Sequence, residues 1–129
     1  MKVKTHKRAN PRLLGRPISI NDDGEAVVEL EANGEMAVDE KGLVHGGFTF
    51  GLADYAAMLA VNHPNVVLGA SRVRFLSPVK CSDLMLARAR VVDRDGKRRE
   101  VEVSVSVGDR EVLAGTMTCF TLDKHVLEQ

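Results

Sequence analysis

The longest apolar stretch of the chain covers residues 44–62, and no other segment has the length and composition of a long helix. It opens with the small and polar residues His45, Gly46 and Gly47 and then stays apolar for about four turns. Pro64 forbids continuation of a helix beyond this stretch. The pattern therefore predicts one central helix that begins near His45.

Alternation of apolar and polar residues predicts β-strands on both sides of this helix. Valines occupy every second position from Val101 to Val107, with Glu and Ser between them, which is the period of a half-buried strand. An Asp-Gly turn within residues 93–96 and a Gly-Asp turn at residues 108–109 join strands into tight antiparallel hairpins. Strands are predicted at residues 25–31, 65–76, 84–92, 98–107 and 110–122.

This order of elements predicts an α+β fold in which an antiparallel sheet wraps around the helix. An amphipathic sheet must cover its apolar face, and the helix is the only element available to do so. We expect a basic N-terminal arm at residues 1–16, a single domain at residues 17–123 and a C-terminal tail at residues 124–129.

The charge balance and the cysteines narrow the classes of function. The chain has 18 Lys and Arg and 18 Asp and Glu, so no net charge attracts nucleic acid or an anionic membrane. No apolar run reaches the length of a transmembrane helix, because Asp54 interrupts the longest one. The basic N-terminus is not followed by the apolar segment of a signal peptide, and Cys81 and Cys119 form no CxxC pair. We therefore expect a cytoplasmic protein with reduced thiols.

Asp54 is an acid in the middle of the apolar helix, which offers no Lys or Arg as its partner. Burial of an unpaired carboxylate is costly or raises its pKa. One explanation is an exposed helix edge or a bond to neighbouring backbone. The spacing favours another, because residues at intervals of three and four form a stripe whose two glycines let a second backbone approach closely. This glycine stripe comprises Gly47, Gly51, Asp54, Met58 and Val61.

Several familiar catalytic motifs are absent from the chain. There is no phosphate-binding GxxxxGK[ST] and no GxSxG serine elbow, and the four histidines lack metal-ligand spacing, so we expect no metal. What remains is a helix start with two glycines and a carboxylate nine residues after His45. Unpaired N–H groups at a helix start suit a developing oxyanion, and a carboxylate can attack a carbonyl or deprotonate water.

The helix start and the carboxylate are too far apart to act together within one chain, because nine residues span about 13 Å along a helix. Two antiparallel copies of the helix, packed through the glycine stripe, bring Asp54 of one copy toward Gly47 of the other. The sequence therefore predicts an obligate homodimer with the site at its interface.

The motif that runs from His45-Gly46-Gly47 to Asp54 resembles that of the hotdog-fold acyl-CoA thioesterases of the phenylacetate-pathway (PaaI-like) type. The similarity extends through residues 74–79 and covers roughly residues 20–122. It implies a hotdog fold, in which five or six antiparallel strands wrap one long helix, in homodimers that often pair into homotetramers. It also implies hydrolysis of acyl-CoA or aryl-CoA thioesters, with coenzyme A as part of the substrate and no separate cofactor.

The same resemblance implies roles for individual residues. Asp54 is nucleophile or general base, Gly46 or Gly47 donates the oxyanion N–H, and His45 orients the thioester or the leaving thiolate. Many relatives have Asn six residues before the His, where this chain has Asp39. A carboxylate at that place either holds the attacking water or raises the pKa of Asp54 by repulsion.

The remaining candidates concern binding of the substrate. Arg72 and Arg74 share one face of a strand, and Lys80 lies just beyond Pro78, so these cations are candidates for the phosphates of coenzyme A. The alternative for them is a solvated sheet face or a contact between dimers. Further substrate-binding candidates are Phe50, Asn62 and Ser71.

A thioesterase is the leading hypothesis, with a small-molecule acyl-CoA as partner and with neither nucleic acid nor membrane bound. The alternative is a non-catalytic acyl-CoA-binding hotdog domain, because some hotdog domains sense acyl-CoA without hydrolysing it. No helix-turn-helix pattern occurs before residue 20, which argues against a DNA-binding regulator. A dehydratase on this fold needs its acid and histidine at a different spacing.

Overall fold

The computed structural model describes all 129 residues of the chain. It contains one long helix, one short helix and six strands, with short 3-10 helices at Gly34–Met36 and Val126–Glu128. The helices are α1 (Pro11–Leu14) and α2 (Gly46–Val61), and the strands are β1 (Arg16–Ile20), β2 (Glu25–Glu31), β3 (Val66–Phe75), β4 (Leu84–Asp95), β5 (Arg98–Val107) and β6 (Arg110–Thr121).

The six strands form one antiparallel sheet in the order β1-β2-β4-β5-β6-β3. Helix α2 packs against β2, β4 and β5, the middle of this sheet. The arrangement confirms the predicted hotdog fold with one long helix. Strands β1 and β3 lie at the two edges, so each has one side without a partner strand.

Small side chains let α2 lie close to the strands. Ala53, Ala56 and Ala57 are fully buried, and Leu52 and Leu59 fill the space beside them. A fully buried Leu contributes about 1.5–3 kcal/mol relative to an exposed one, so this face fixes the position of the helix. The sheet supplies the other half of the core with Val28, Met85, Ala87, Val101, Val105, Leu113, Met117 and Cys119.

Two details of the sheet differ from the prediction. Strand β1 was not predicted, because it is short and contains Pro17, which cannot donate a hydrogen bond to a strand partner. Strand β4 extends to Asp95, beyond the predicted end at residue 92, so the hairpin turn consists of Gly96 and Lys97. Gly96 has φ +58°, a left-handed conformation that a two-residue hairpin turn requires.

The segment predicted as a basic arm does not project from the domain but lies along α2. The side-chain amide of Asn62 accepts a hydrogen bond from the Lys4 N–H (2.8 Å) and donates one to the Lys2 carbonyl (2.8 Å). Leu13 and Leu14 pack against the core from α1. This segment therefore covers part of the helix face opposite the sheet. The division into arm, domain and tail stays a prediction.

Candidate functional site

The start of α2 is shaped by a hydrogen bond between His45 and Gly47. His45 is the N-cap, and its Nδ1 accepts from the Gly47 N–H at 2.8 Å. A Cβ at Gly47 would lie 2.8 Å from this nitrogen, so a larger residue there would displace the His45 ring. Because Nδ1 accepts, a neutral His45 ring carries its proton on Nε2. The ring therefore presents an N–H donor on the side away from the helix.

Gly46, the first residue of α2, has an N–H without an acceptor in the chain. Phe75 lies beside it, since a Cβ at Gly46 would be 3.2 Å from the Phe75 ring. The free N–H sits at the positive end of the helix dipole. It opens into an apolar cleft of ≈ 340 Å³ lined by Val44, Gly46, Thr49, Phe75, Leu76, Ser77, Pro78, Val79 and Val112.

Asp54 is half-buried, and its Oδ1 is buried without a hydrogen-bond partner. Desolvation raises the pKa of Asp54 to about 6. The pKa of the Cys119 thiol is raised to about 12, first by burial and then by the charges of Asp54 and Glu100. Neither a solvated helix edge nor a bond to local backbone accounts for the unpaired oxygen.

The glycine stripe is the least covered face of α2. Gly47 is exposed, Gly51 and Val61 are half-buried like Asp54, and Met58 is buried. Leu14 covers Gly51 in part, because a Cβ there would lie 3.1 Å from its Cδ2 atom. Gly47 is therefore the open end of the stripe, and Asp54 and Val61 are only half covered by the chain itself.

Asp39 lies in the exposed loop before α2. Its Oδ1 accepts hydrogen bonds from the N–H groups of Lys41 (3.0 Å) and Leu43 (3.1 Å), which fixes the turn of the loop. Within the single chain, burial is the cause of the raised pKa of Asp54. A contribution from repulsion by Asp39 stays a prediction. A role for Asp39 in holding water stays a prediction.

The structure separates the three predicted phosphate-binding cations. In the β3–β6 register Ser71 pairs with buried Met117, whereas Arg72 and Arg74 pair with Thr116 and Ala114. Since successive side chains of a strand point to opposite faces, Ser71 faces α2 and both arginines point away from it. Lys80 forms a bridge with Leu43, close to the start of α2. Lys80 thus pairs with the loop that leads into α2, whereas the two arginines point to the outer face of the sheet.

Two other predicted substrate contacts lie on α2 or at its end. Phe50 is half-buried and packs against the core. Asn62 caps the helix in the left-handed conformation and holds the N-terminal segment. The N-terminal contact was missed because only the fold brings Lys2 and Lys4 to Asn62. Contacts of Phe50 and Asn62 with a substrate stay predictions.

The structure also bears on metals and membranes. No group of three or more His, Cys, Asp or Glu side chains lies close enough together to hold a metal ion. None of the helices combines the length and the apolarity that crossing a membrane requires.

Comparison with known proteins identifies the family. The profile of the thioesterase superfamily matches residues 41–114, which is more than half of the chain and includes all of α2. The chain belongs to the thioesterase superfamily.

Two curated relatives carry different names. The chain is 46% identical over 124 residues to a protein of Aquifex aeolicus named methylthioribose-1-phosphate isomerase, with 95% of the chain and 27% of that protein covered. It is 24% identical over 128 residues to transcription factor FapR of Caldanaerobacter subterraneus, with 99% of the chain and 63% of that protein covered. The chain therefore spans less than two-thirds of the length of either relative.

Solved structures support the fold more directly. An uncharacterised protein of Pyrococcus horikoshii is similar with a TM-score of 0.96 and 55% identity, covering 98% of this chain and 97% of that one. A mutant of the phenylacetic acid degradation protein PaaI of Thermus thermophilus is similar with a TM-score of 0.78 and 31% identity, covering 87% of this chain and 97% of that one. The similarity to the PaaI-like type is therefore confirmed.

Proposed function

We propose that the chain hydrolyses acyl-CoA thioesters to the free acid and coenzyme A, and that it acts as a homodimer. Membership of the thioesterase superfamily and similarity to PaaI support a hydrolase. The observation that carries the proposal is the buried, unpaired Oδ1 of Asp54 on the open glycine stripe. An unpaired carboxylate is costly to bury, and such costs are concentrated at functional sites.

The homodimer follows from distance and from two uncovered surfaces. Gly46 and Asp54 are eight residues apart, or about 12 Å along the helix, whereas both must lie about 3 Å from the reacting group. A second copy on the glycine stripe supplies the missing partner. Strand β3 has a free edge with residues 69–72 exposed, which supports sheet pairing between the copies.

The geometry supports separate roles for Gly46 and His45 at the helix start. Of the two candidate glycines, Gly46 has the free N–H, whereas the Gly47 N–H is bound by His45. The Gly46 N–H donates to the carbonyl oxygen and stabilises the oxyanion. The Nε2–H of His45 donates to the leaving sulfur. Both contacts act at the positive end of α2.

Asp54 of the partner subunit supplies the base. The ionised carboxylate takes a proton from water, whose oxygen bonds to the carbonyl carbon. The C–S bond then breaks, its electron pair leaves on sulfur, and the thiolate takes the proton from the carboxyl group. In the alternative route the carboxylate attacks the carbon and water hydrolyses the resulting anhydride. Both routes require Asp54 in its ionised form.

The raised pKa of Asp54 makes the reaction dependent on pH. With a pKa of about 6, the carboxylate is mostly ionised at pH 8 and mostly protonated at pH 5. We expect kcat/KM to rise with pH through about 6 and to level off above it, with about a tenfold loss at pH 5. The pH profile of thiol release from one acyl-CoA measures this. A profile that stays flat between pH 5 and 8 would contradict the role of Asp54.

A thiol-release assay over short, medium and aromatic acyl-CoAs tests the proposed reaction. Turnover of at least one class of substrate is expected. Binding of acyl-CoA without turnover would favour the alternative, a non-catalytic acyl-CoA-binding domain. The similarity to a relative named as a transcription factor is the observation that favours this alternative.

The proposal also includes a cytoplasmic location and a homotetramer. Both cysteines are free, which supports a reducing, cytoplasmic location. Exposed apolar side chains on the sheet support further pairing of dimers into a homotetramer. They include Ile18 (49% exposed), Leu84 (52%) and Val92 (44%).

A further inference from the structure

A second cleft, of ≈ 420 Å³, lies beside the apolar cleft at the start of α2. We propose that it binds the phosphates of the nucleotide end of coenzyme A. This assignment rests on the proposed acyl-CoA function and locates the charged end of the substrate. The cleft is lined by Asp39, Lys41, Leu43, Pro78, Val79, Lys80, Asp83 and Arg110.

The cations of this basic cleft are available to a ligand. Lys41 and Lys80 form no salt bridge or side-chain hydrogen bond within the chain. Arg110 is partly engaged, since it donates to the Pro78 carbonyl and lies 3.6 Å from Asp83. The cleft therefore offers two free ammonium groups and one guanidinium, the groups that bind phosphate in proteins.

The two acids of the cleft are already occupied. Asp39 accepts hydrogen bonds from two backbone N–H groups of its own loop. Asp83 accepts one from the Lys80 N–H at 3.0 Å and is the carboxylate that pairs with Arg110. These bonds hold the loop geometry and neutralise part of the acidic charge. With three cations and two carboxylates among its lining residues, the cleft keeps one positive charge in excess.

The basic cleft continues the apolar cleft described above, because Pro78 and Val79 line both. The Val44 N–H donates to the Val79 carbonyl at 2.8 Å, which fixes the two clefts next to each other beside His45. An acyl-CoA has the same order of parts: a thioester, an uncharged pantetheine arm and then phosphates. The thioester at Gly46 thus places the arm in the apolar cleft and the phosphates in the basic one.

This location replaces the predicted grouping of Lys80 with Arg72 and Arg74. Both arginines point away from α2, onto the outer face of the sheet. They therefore lie on a different surface from Lys80 and from the helix start. Lys41 and Arg110 take their place as phosphate contacts.

Comparison of two probes isolates the phosphate contact. Coenzyme A carries the nucleotide phosphates, whereas pantetheine has the same thiol arm without them. The double variant Lys41→Ala/Lys80→Ala is expected to bind coenzyme A at least about tenfold more weakly, the ratio that corresponds to one charge-assisted hydrogen bond. Its kcat/KM with an acyl-CoA should fall by the same ratio, and its kcat/KM with the acyl-pantetheine should not change.

Three further measurements make the outcome decisive. The matched control Lys7→Ala/Lys124→Ala removes two exposed lysines elsewhere on the surface. It should leave kcat/KM unchanged for both acyl-CoA and acyl-pantetheine. A fall in kcat/KM for acyl-CoA alone in Arg72→Ala/Arg74→Ala, rather than in the cleft variant, would overturn the assignment. An equal fall in kcat/KM for acyl-CoA and acyl-pantetheine in the cleft variant would also overturn it. The wild type could also bind coenzyme A through the cleft lysines without hydrolysing any acyl-CoA. That result would reject the proposed hydrolase activity and support the phosphate site.

Discussion

Asp54→Asn is expected to lower kcat/KM for acyl-CoA hydrolysis by at least about a hundredfold, the scale of one general acid–base group. The amide keeps the size of the side chain but can neither take a proton from water nor attack a carbonyl carbon. Its effect is therefore expected in kcat rather than in KM. Thiol release at pH 8, measured with the best substrate of the panel, gives the ratio.

The stability of the same variant separates lost chemistry from lost fold. The pKa of Asp54 is raised by burial to about 6, so its effect on stability is most favourable below the unfolded pKa of 3.8 and is lost as pH rises through about 6. The asparagine variant should therefore be at least as stable as the wild type at pH 8. An inactive variant that melts well below the wild type at pH 8 would not support a catalytic role, and full activity would refute that role.

Gly46→Pro is expected to lower kcat by about a hundredfold to a thousandfold, the range for loss of one oxyanion donor. Proline removes the N–H of Gly46 and is otherwise favoured at the first position of a helix. The preceding residue, His45, already has φ −61° and ψ 130°, which a residue before proline prefers. The substitution therefore deletes one donor with little effect on the helix.

Gly46→Ala is the matched control for this variant. It places a Cβ at the same distance of 3.2 Å from the Phe75 ring but keeps the N–H. Phe75 is 57% exposed and its ring can move by the small amount required. We expect the alanine variant to retain most of the activity. Equal activity of the proline and alanine variants would show that the Gly46 N–H is not the oxyanion donor.

The parts of the fold that were predicted from sequence have strong periodicity. Helix α2 was recognised from its long apolar run, and β5 from its alternating valines. Strand β1 could not be recognised in this way, because it has only five residues, contains Pro17 and is held in place by pairing with β2 alone. Likewise, nothing local indicated that Asn62 would hold the N-terminal segment against α2.

The candidate site shows the same division between local and non-local information. The lack of a cation near Asp54 in sequence already indicated an unpaired acid, and the structure places its oxygen in a buried position without a partner. The choice between Gly46 and Gly47 depended on the cap geometry of His45, which the sequence does not specify. Lys41 and Arg110 lie far apart in the chain, so only the fold reveals that they share a cleft.

In the proposed dimer, Asp54 of one subunit acts on a thioester held at the helix start of the other. Mixing Asp54→Asn with Gly46→Pro subunits, after unfolding and refolding together, tests it directly. Half of the dimers are then mixed, and each mixed dimer has one site free of both changes, so about a quarter of the wild-type activity should return. If both groups belonged to the same chain, every site would carry one change and the mixture would stay as inactive as its two components.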